Sequence, residues 1–212
     1  MLCRLISLSA LLLAAALAVA APEKLQPANL SVNVYQRIFP PQKAASVSVT
    51  TFNLRAVTVS LHPVDIAALI PHAAILEASD DRRNPNSVAG RIATLALPAA
   101  VKTFRVAMKT FYPNDWVQQE VKLPGLPSGV YVVQVSGGGV VKRTWLALSN
   151  RALLVKRSPD VLVAWLVHAE TGKPVAGVPV RIYTDGGRAA ELRTDASGLV
   201  RYTPKSPFGR LW

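Results

Sequence analysis

Cysteine is all but missing from this chain, with a single one at position 3. No disulfide can form within the chain, and no thiol nucleophile or thiolate metal site can be built after that point. Histidine is nearly as scarce. His62, His72 and His168 lie far apart and show no ligand spacing, which excludes the usual zinc signatures. Acidic residues number 12 against 24 lysines and arginines. The adjacent pair Asp80-Asp81 runs straight into Arg82-Arg83, which neutralise it, and no alternating calcium-loop pattern follows. There is neither a Gly-x-Ser-x-Gly elbow nor a Gly-x-x-x-x-Gly-Lys-Ser/Thr phosphate loop. Ser136-Gly137-Gly138-Gly139 lacks the lysine and helix of such a loop and reads as a hairpin turn. Asp185 and Asp195 stand in turn sequences, where short carboxylates bond nearby amides. The chain therefore offers no catalytic, cofactor-binding or metal-binding residue, and no cofactor or enzymatic activity is expected.

Long apolar runs are confined to the N-terminus. Arg4 precedes an apolar stretch from Leu5 to Ala20, and Ala18-Val19-Ala20 supplies the small residues that signal peptidase accepts. The stretch is short for a membrane span of roughly 20 residues. Residues 1–20 are therefore expected to be a cleaved signal peptide, and the mature protein to be periplasmic or extracellular with no membrane span. Cys3 precedes the apolar run, so it is not placed as a lipidated cysteine. Without disulfides, an exported protein must be held by its core or by neighbouring domains. Outside residues 1–20 the charge is +11, but the basic residues are scattered. Arg82-Arg83, Lys142-Arg143 and Lys156-Arg157 are the only adjacent pairs, and no nucleic-acid motif accompanies them, so nucleic acid is not expected as a partner.

What the chain does have is alternation. Leu30–Tyr35, Ser46–Phe52 and Ala56–His62 each place an apolar residue at every second position. That period assigns Val47 and Val49 of the second run and Val57, Val59 and Leu61 of the third to core-facing sides. Asp65 suits the cap of a short helix over Ile66–Ile70, ended by Pro71. Asp80–Ser87 reads as a polar surface loop, and the Ala-rich sequence around it could carry a helix, which Pro98 and scattered Thr keep from being long. Strand patterning resumes at Phe104–Lys109, Val117–Leu123, Val130–Val135 and Val140–Leu148, with Ser149-Asn150 as the boundary. Beyond it, Ala152–Lys156, Val161–His168, Val178–Thr184 and Leu199–Tyr202 read as strands separated by turns such as Asp185-Gly186-Gly187. His62 and His168, at strand ends, are expected to face solvent. Trp116, Trp145, Trp165 and Trp212 are expected to pack in cores or between domains.

Many short strands punctuated by glycine and proline predict an all-β protein of tandem antiparallel β-sandwiches. The first occupies residues 25–149 and the second 150–212. The second is small, and Phe208–Trp212 reads as the start of another strand, so it is expected to be incomplete and the chain a segment of something longer.

Four elements of the second unit carry a family resemblance: Ala152–Ser158, Val163-Ala164-Trp165, Glu170-Thr171-Gly172-Lys173-Pro174-Val175-Ala176-Gly177-Val178-Pro179-Val180-Arg181-Ile182 and Thr194-Asp195-Ala196-Ser197-Gly198-Leu199. They resemble the second macroglobulin-like domain of bacterial alpha-2-macroglobulins, and Leu126-Pro127-Ser128-Gly129-Val130-Tyr131-Val132-Val133 upstream resembles the closing strands of the macroglobulin-like domain that precedes it in such proteins. Similar text occurs in transthyretin-like, carboxypeptidase-regulatory and bacterial Ig-like modules. The order of signal peptide, first β domain, Pro-Ser-Gly-Val-Tyr and this module narrows the resemblance. It implies a scaffold segment of an exported endopeptidase inhibitor that traps proteases, with further macroglobulin-like domains and target proteases as partners. The family's thioester needs a cysteine, and none follows residue 3. The alternative is an exported Ig-like or transthyretin-like module that binds a surface protein or polysaccharide.

Overall fold

Every second residue of the alternating runs is buried, and this sets the architecture. The computed structural model describes residues 24–41, 43–65, 88–184 and 187–204. In the first unit, β1 (Asn29–Asn33), β3 (Ser46–Phe52) and β6 (Trp116–Lys122) form an antiparallel sheet in the order β1-β3-β6. A second sheet joins β2 (Ile38–Phe39), β4 (Ala56–Val64), β5 (Lys102–Ala107), β7 (Gly129–Gly137) and β8 (Val140–Leu148), in the order β2-β8-β7-β4-β5. Leu30, Val32, Val47 and Val49 of the first sheet share one buried cluster with Val57, Val59, Leu61, Val133, Val135 and Leu146 of the second. Each such side chain contributes about 1.5–3 kcal/mol by leaving water. All five residues that the alternation assigned inward are in this core.

The turns follow from local chemistry. Gly137 pairs with Val140. Gly138 and Gly139 between them take φ of 55° and 79°, the left-handed values of a two-residue hairpin turn. Pro127-Ser128-Gly129-Val130-Tyr131 forms a corner, with the buried Tyr131 phenol donating to the Pro127 carbonyl at 3.0 Å. Burial pushes that phenol's pKa above its ordinary value. A short helix, α1 (Val88–Thr94), lies on the outer face of the second sheet, where Ile92 and Val132 form a small buried cluster.

In the second unit, β9 (Arg151–Arg157), β10 (Leu162–His168) and β13 (Leu199–Tyr202) form an antiparallel sheet in the order β13-β10-β9. The strands β11 (Pro179–Thr184) and β12 (Gly187–Arg193) form a hairpin. Its pairing runs up to Thr184 opposite Gly187, while Asp185 and Gly186 lie outside the described residues. Lys173–Val175 adds to β10 past the end of β13: Lys173 O accepts from His168 N, and Val175 N donates to Leu166 O.

Thr194 ties this stretch down. Its buried hydroxyl donates to Val175 O at 2.7 Å and accepts from Val178 N at 3.0 Å. Thr194→Val keeps the shape and strands both backbone groups, so it is expected to destabilise by about 2 kcal/mol. A urea midpoint unchanged from wild type would contradict this.

The signal peptide of residues 1–20, the helix at Ile66–Ile70, the loop at Asp80–Ser87 and the strand start at Phe208–Trp212 all lie outside the described residues. Two elements went unread in the sequence, β2, which pairs parallel with β8, and β12, while α1 is a short helix of the kind the Ala-rich stretch could carry.

Candidate interaction surfaces

The residues screened for chemistry have structural roles. Asp195 Oδ1 accepts from Ser197 N at 2.8 Å and Leu199 N at 2.9 Å, closing the turn into β13. His168 Nδ1 accepts from Glu170 N at 3.4 Å beside the Thr171-Gly172 turn. His62 does not face solvent as its strand-end position suggested. Its Nδ1 lies 2.7 Å from Pro98 O, and its Nε2 is buried with no partner among the described residues. The cause is tertiary: Leu95 and Leu97, following α1, pack over the face that carries Val132, the residue paired with His62. His72, Asp80, Asp81 and Asp185 lie outside the described residues. Among the described residues no three His, Cys, Asp or Glu side chains come together as a metal site, and no helix is long and apolar enough to cross a membrane.

Of the three described tryptophans none is fully buried, and Trp145 alone packs against a buried cluster, that of Ile92 and Val132. Trp116 is half-exposed on the outer face of its sheet, tilted at 47° against Phe52 with ring centroids 5.2 Å apart. Trp145 is half-buried with the Arg37 guanidinium 5.0 Å from its ring centroid. Trp165 is 40 % exposed and donates through Nε1 to Ser197 O at 3.0 Å. For Trp116 the alternation along β6 already indicated an outward position, whereas the run around Trp165 is apolar almost throughout and gives no such sign. Trp212 lies outside the described residues.

Two surfaces stand out. The first belongs to the β13-β10-β9 sheet. The register places Leu154, Trp165 and Leu199 in one cross-strand row, and they are 53 %, 40 % and 38 % exposed. On the opposite face, Ala164, Leu166 and Val200 are buried, yet Leu153 and Val155 of the adjoining edge strand β9 are 50 % and 56 % exposed. Cover over that face reaches β10 and β13 and stops short of β9. An edge strand with apolar residues bare on both faces is a contact surface. The second surface is the polar outer face of the β1-β3-β6 sheet, where the register sets Asn33, Ser48 and Glu120 in one row and Ser31, Thr50 and Gln118 in the next.

No family model matches the chain. A curated relative, the alpha-2-macroglobulin of Ralstonia nicotianae, is 30 % identical over 100 residues, which are 44 % of this chain and 6 % of that protein. Among solved structures, native alpha-2-macroglobulin from Escherichia coli spanning domains NIE-MG1 matches with a TM-score of 0.57 at 19 % identity. The match covers 88 % of this chain and 91 % of that one. A longer fragment of the same protein, spanning MG0-NIE-MG1, matches with a TM-score of 0.58 at 19 % identity and covers 84 % of this chain and 59 % of that one. The Salmonella alpha-2-macroglobulin mutant Y1175G gives 0.57 at 20 % identity, over 84 % of this chain and 11 % of that one. The chain thus spans about one-seventeenth of the curated relative. Its fold, nearly all β in several antiparallel sheets, is that of the matched fragments.

Proposed function

We propose that the chain is N-terminal scaffold of a larger, exported endopeptidase inhibitor of the bacterial alpha-2-macroglobulin family, the proteins that it resembles in sequence and fold. On this reading residues 1–20 are the export signal, and residues 25–149 and 150–212 are successive β domains, the counterparts of the NIE-MG1 pair. The work of such a segment is to bury sheet faces against neighbouring domains of the trap. A covalent thioester would have to come from elsewhere in the protein, since residues 21–212 contain no cysteine.

One observation carries the reading: the bare apolar residues Leu153, Leu154, Val155, Trp165 and Leu199 on the small second unit. A neighbouring domain seated on them would gain about 25 cal/mol for each Å² of apolar surface covered. The basic residues Arg151, Lys156 and Arg157 bracket the apolar run of β9, as edge strands do when they must resist non-specific pairing.

The double variant Leu154→Ser with Trp165→Ser separates scaffold from free surface. In the isolated segment its effect on unfolding stability is expected to stay within about 1.5 kcal/mol, since both residues are partly exposed and the one bond lost is that of Trp165 Nε1 to Ser197 O. Within the longer protein, where a neighbouring domain covers them, the loss should exceed 2 kcal/mol, roughly the cost of removing two buried apolar side chains from an interface. Equal small effects in both settings would remove the basis for docking. The inhibitor reading has its own check: a protease treated with the longer protein should keep activity on a short chromogenic peptide and lose it on a large protein substrate. Undiminished cleavage of the large substrate would sink it.

A further inference from the structure

We propose that the outer face of the β1-β3-β6 sheet is a binding site for a short neutral glycan. Ser48 stands on the outward side of β3, opposite Asn33 and Glu120, where a serine ordinarily meets water. It is nevertheless only 5 % exposed, and its Oγ is buried with no hydrogen-bond partner among the described residues. A hydroxyl left in that state costs stability, because its hydrogen bonds to water are lost and not replaced. The group is tolerable where a ligand or water supplies the missing bond.

The setting shows what that ligand is. Ser48 lines an open cleft of about 420 Å³ between residues 35–39 and strands β3 and β6, within the roughly 300–1,000 Å³ of small-ligand sites. Ser46, Gln118 and Glu120 line it too, so hydroxyl, amide and carboxylate groups converge beside Ser48. The exposed Tyr35 supplies aromatic surface over a floor to which the buried Phe39 contributes, and the Gln118 amide donates to the Tyr35 phenol at 3.3 Å, holding the mouth. Along the same face, two cross-strand rows beyond Ser48, the half-exposed Trp116 rests on Phe52. Four residues of strand separate the two rows, roughly 13 Å, which is room for more than one sugar ring.

Sugar hydroxyls both donate and accept, and they match this mixture of groups. The apolar C–H faces of the rings match an exposed indole. A lone carboxylate among neutral groups disfavours an anionic polymer. The polar groups stand on a sheet face whose central strand β3 is paired on both sides, so a peptide cannot add there as a strand. The site is separate from the apolar surface of the second unit, and neither proposal depends on the other.

The test is nitrogen-15 NMR titration of the protein with maltotriose and with N,N′,N″-triacetylchitotriose. At least one is expected to give saturable shifts centred on Ser48, Gln118 and the Trp116 indole. Ser48→Ala should weaken that binding about tenfold, a change of some 1.4 kcal/mol, while the melting temperature holds or rises because the unpaired hydroxyl is gone. Glu120→Gln and Trp116→Ala, both at exposed positions, should weaken it without touching the core. Absence of saturation by either sugar overturns the proposal. Unchanged affinity in Ser48→Ala also overturns it, as does saturation by tetra-alanine with neither sugar binding.

Discussion

Gly198→Ala is expected to cost the second unit at least about 4 kcal/mol, the range of single changes that force a backbone collision or left-handed strain. Gly198 adopts φ +74°, where a Cβ costs roughly 1–2 kcal/mol by itself. The added methyl would also run into the carbonyl oxygen of Leu166, and would lie 3.1 Å from Val175 N and 3.2 Å from Pro174 Cβ. None of these can yield cheaply. The Leu166 amide donates to Gly198 O at 2.8 Å, and Val175 N donates to Leu166 O at 3.0 Å. Moving the carbonyl therefore breaks the seam where β10 meets both β13 and the Lys173–Val175 segment. A unit of some 55 described residues has little stability in reserve. Tryptic cleavage at Lys156, Arg157 and Arg201 should accelerate sharply, while the first unit stays protected. Gly172→Ala is the control. Its φ is +66°, but an added Cβ meets nothing within 4 Å, so only the conformational cost of about 1 kcal/mol applies. If the two variants melted alike, the collision argument would be wrong.

The contrast between these two glycines also marks what a sequence can disclose. Thr194-Asp195-Ala196-Ser197-Gly198 was legible as a turn because its residues act locally: the Asp195 carboxylate meets amides two and four residues on. That Gly198 presses on Leu166 was not legible, since the contact joins residues far apart in the chain. The inward valines of β3 and β4 could be read for the same local reason, the period of two. The strand β12 could not. Gly-Arg-Ala-Ala-Glu-Leu-Arg favours helix over strand by propensity, and its state is fixed by pairing with β11, including Arg181 to Glu191 at 3.1 Å. The two-residue β2 is too short to show any period, and its partner in β8 is more than a hundred residues away. The candidate sites divide in the same way. Exposure of Trp116, Gln118 and Glu120 follows from alternation along β6. The shading of Ser48 depends on residues 35–39 crossing beside β3 and β6, which no local pattern announces.

Removing the Arg143 guanidinium should be the most damaging single change in the first unit that leaves its main core untouched. Arg143 lies on β8, and its Nε donates to Gln134 Oε1 of β7 at 2.9 Å. Its Nη1 donates to Ile92 O and Ala93 O at 3.2 Å and to Leu95 O at 2.9 Å. These are the carbonyls that the end of a helix leaves without intrahelical partners, and a cation there also suits the helix dipole. A seven-residue helix has no independent stability in water, so α1 depends on this clamp and on Ile92 against Val132. Arg143→Leu is expected to destabilise by about 3 kcal/mol, the cost of leaving several carbonyls near a charged donor's site unpaired. Arg143→Lys should lose less, because an ammonium still reaches carbonyls but cannot fork to Gln134 at the same time. The damage should be local. Amide exchange at Gly90–Leu95 and at Val132 should quicken first, while Val47, Val59 and Leu61 keep wild-type protection until the whole unit melts. Wild-type exchange at Gly90–Leu95 in Arg143→Leu would mean that α1 is held by its apolar contact alone.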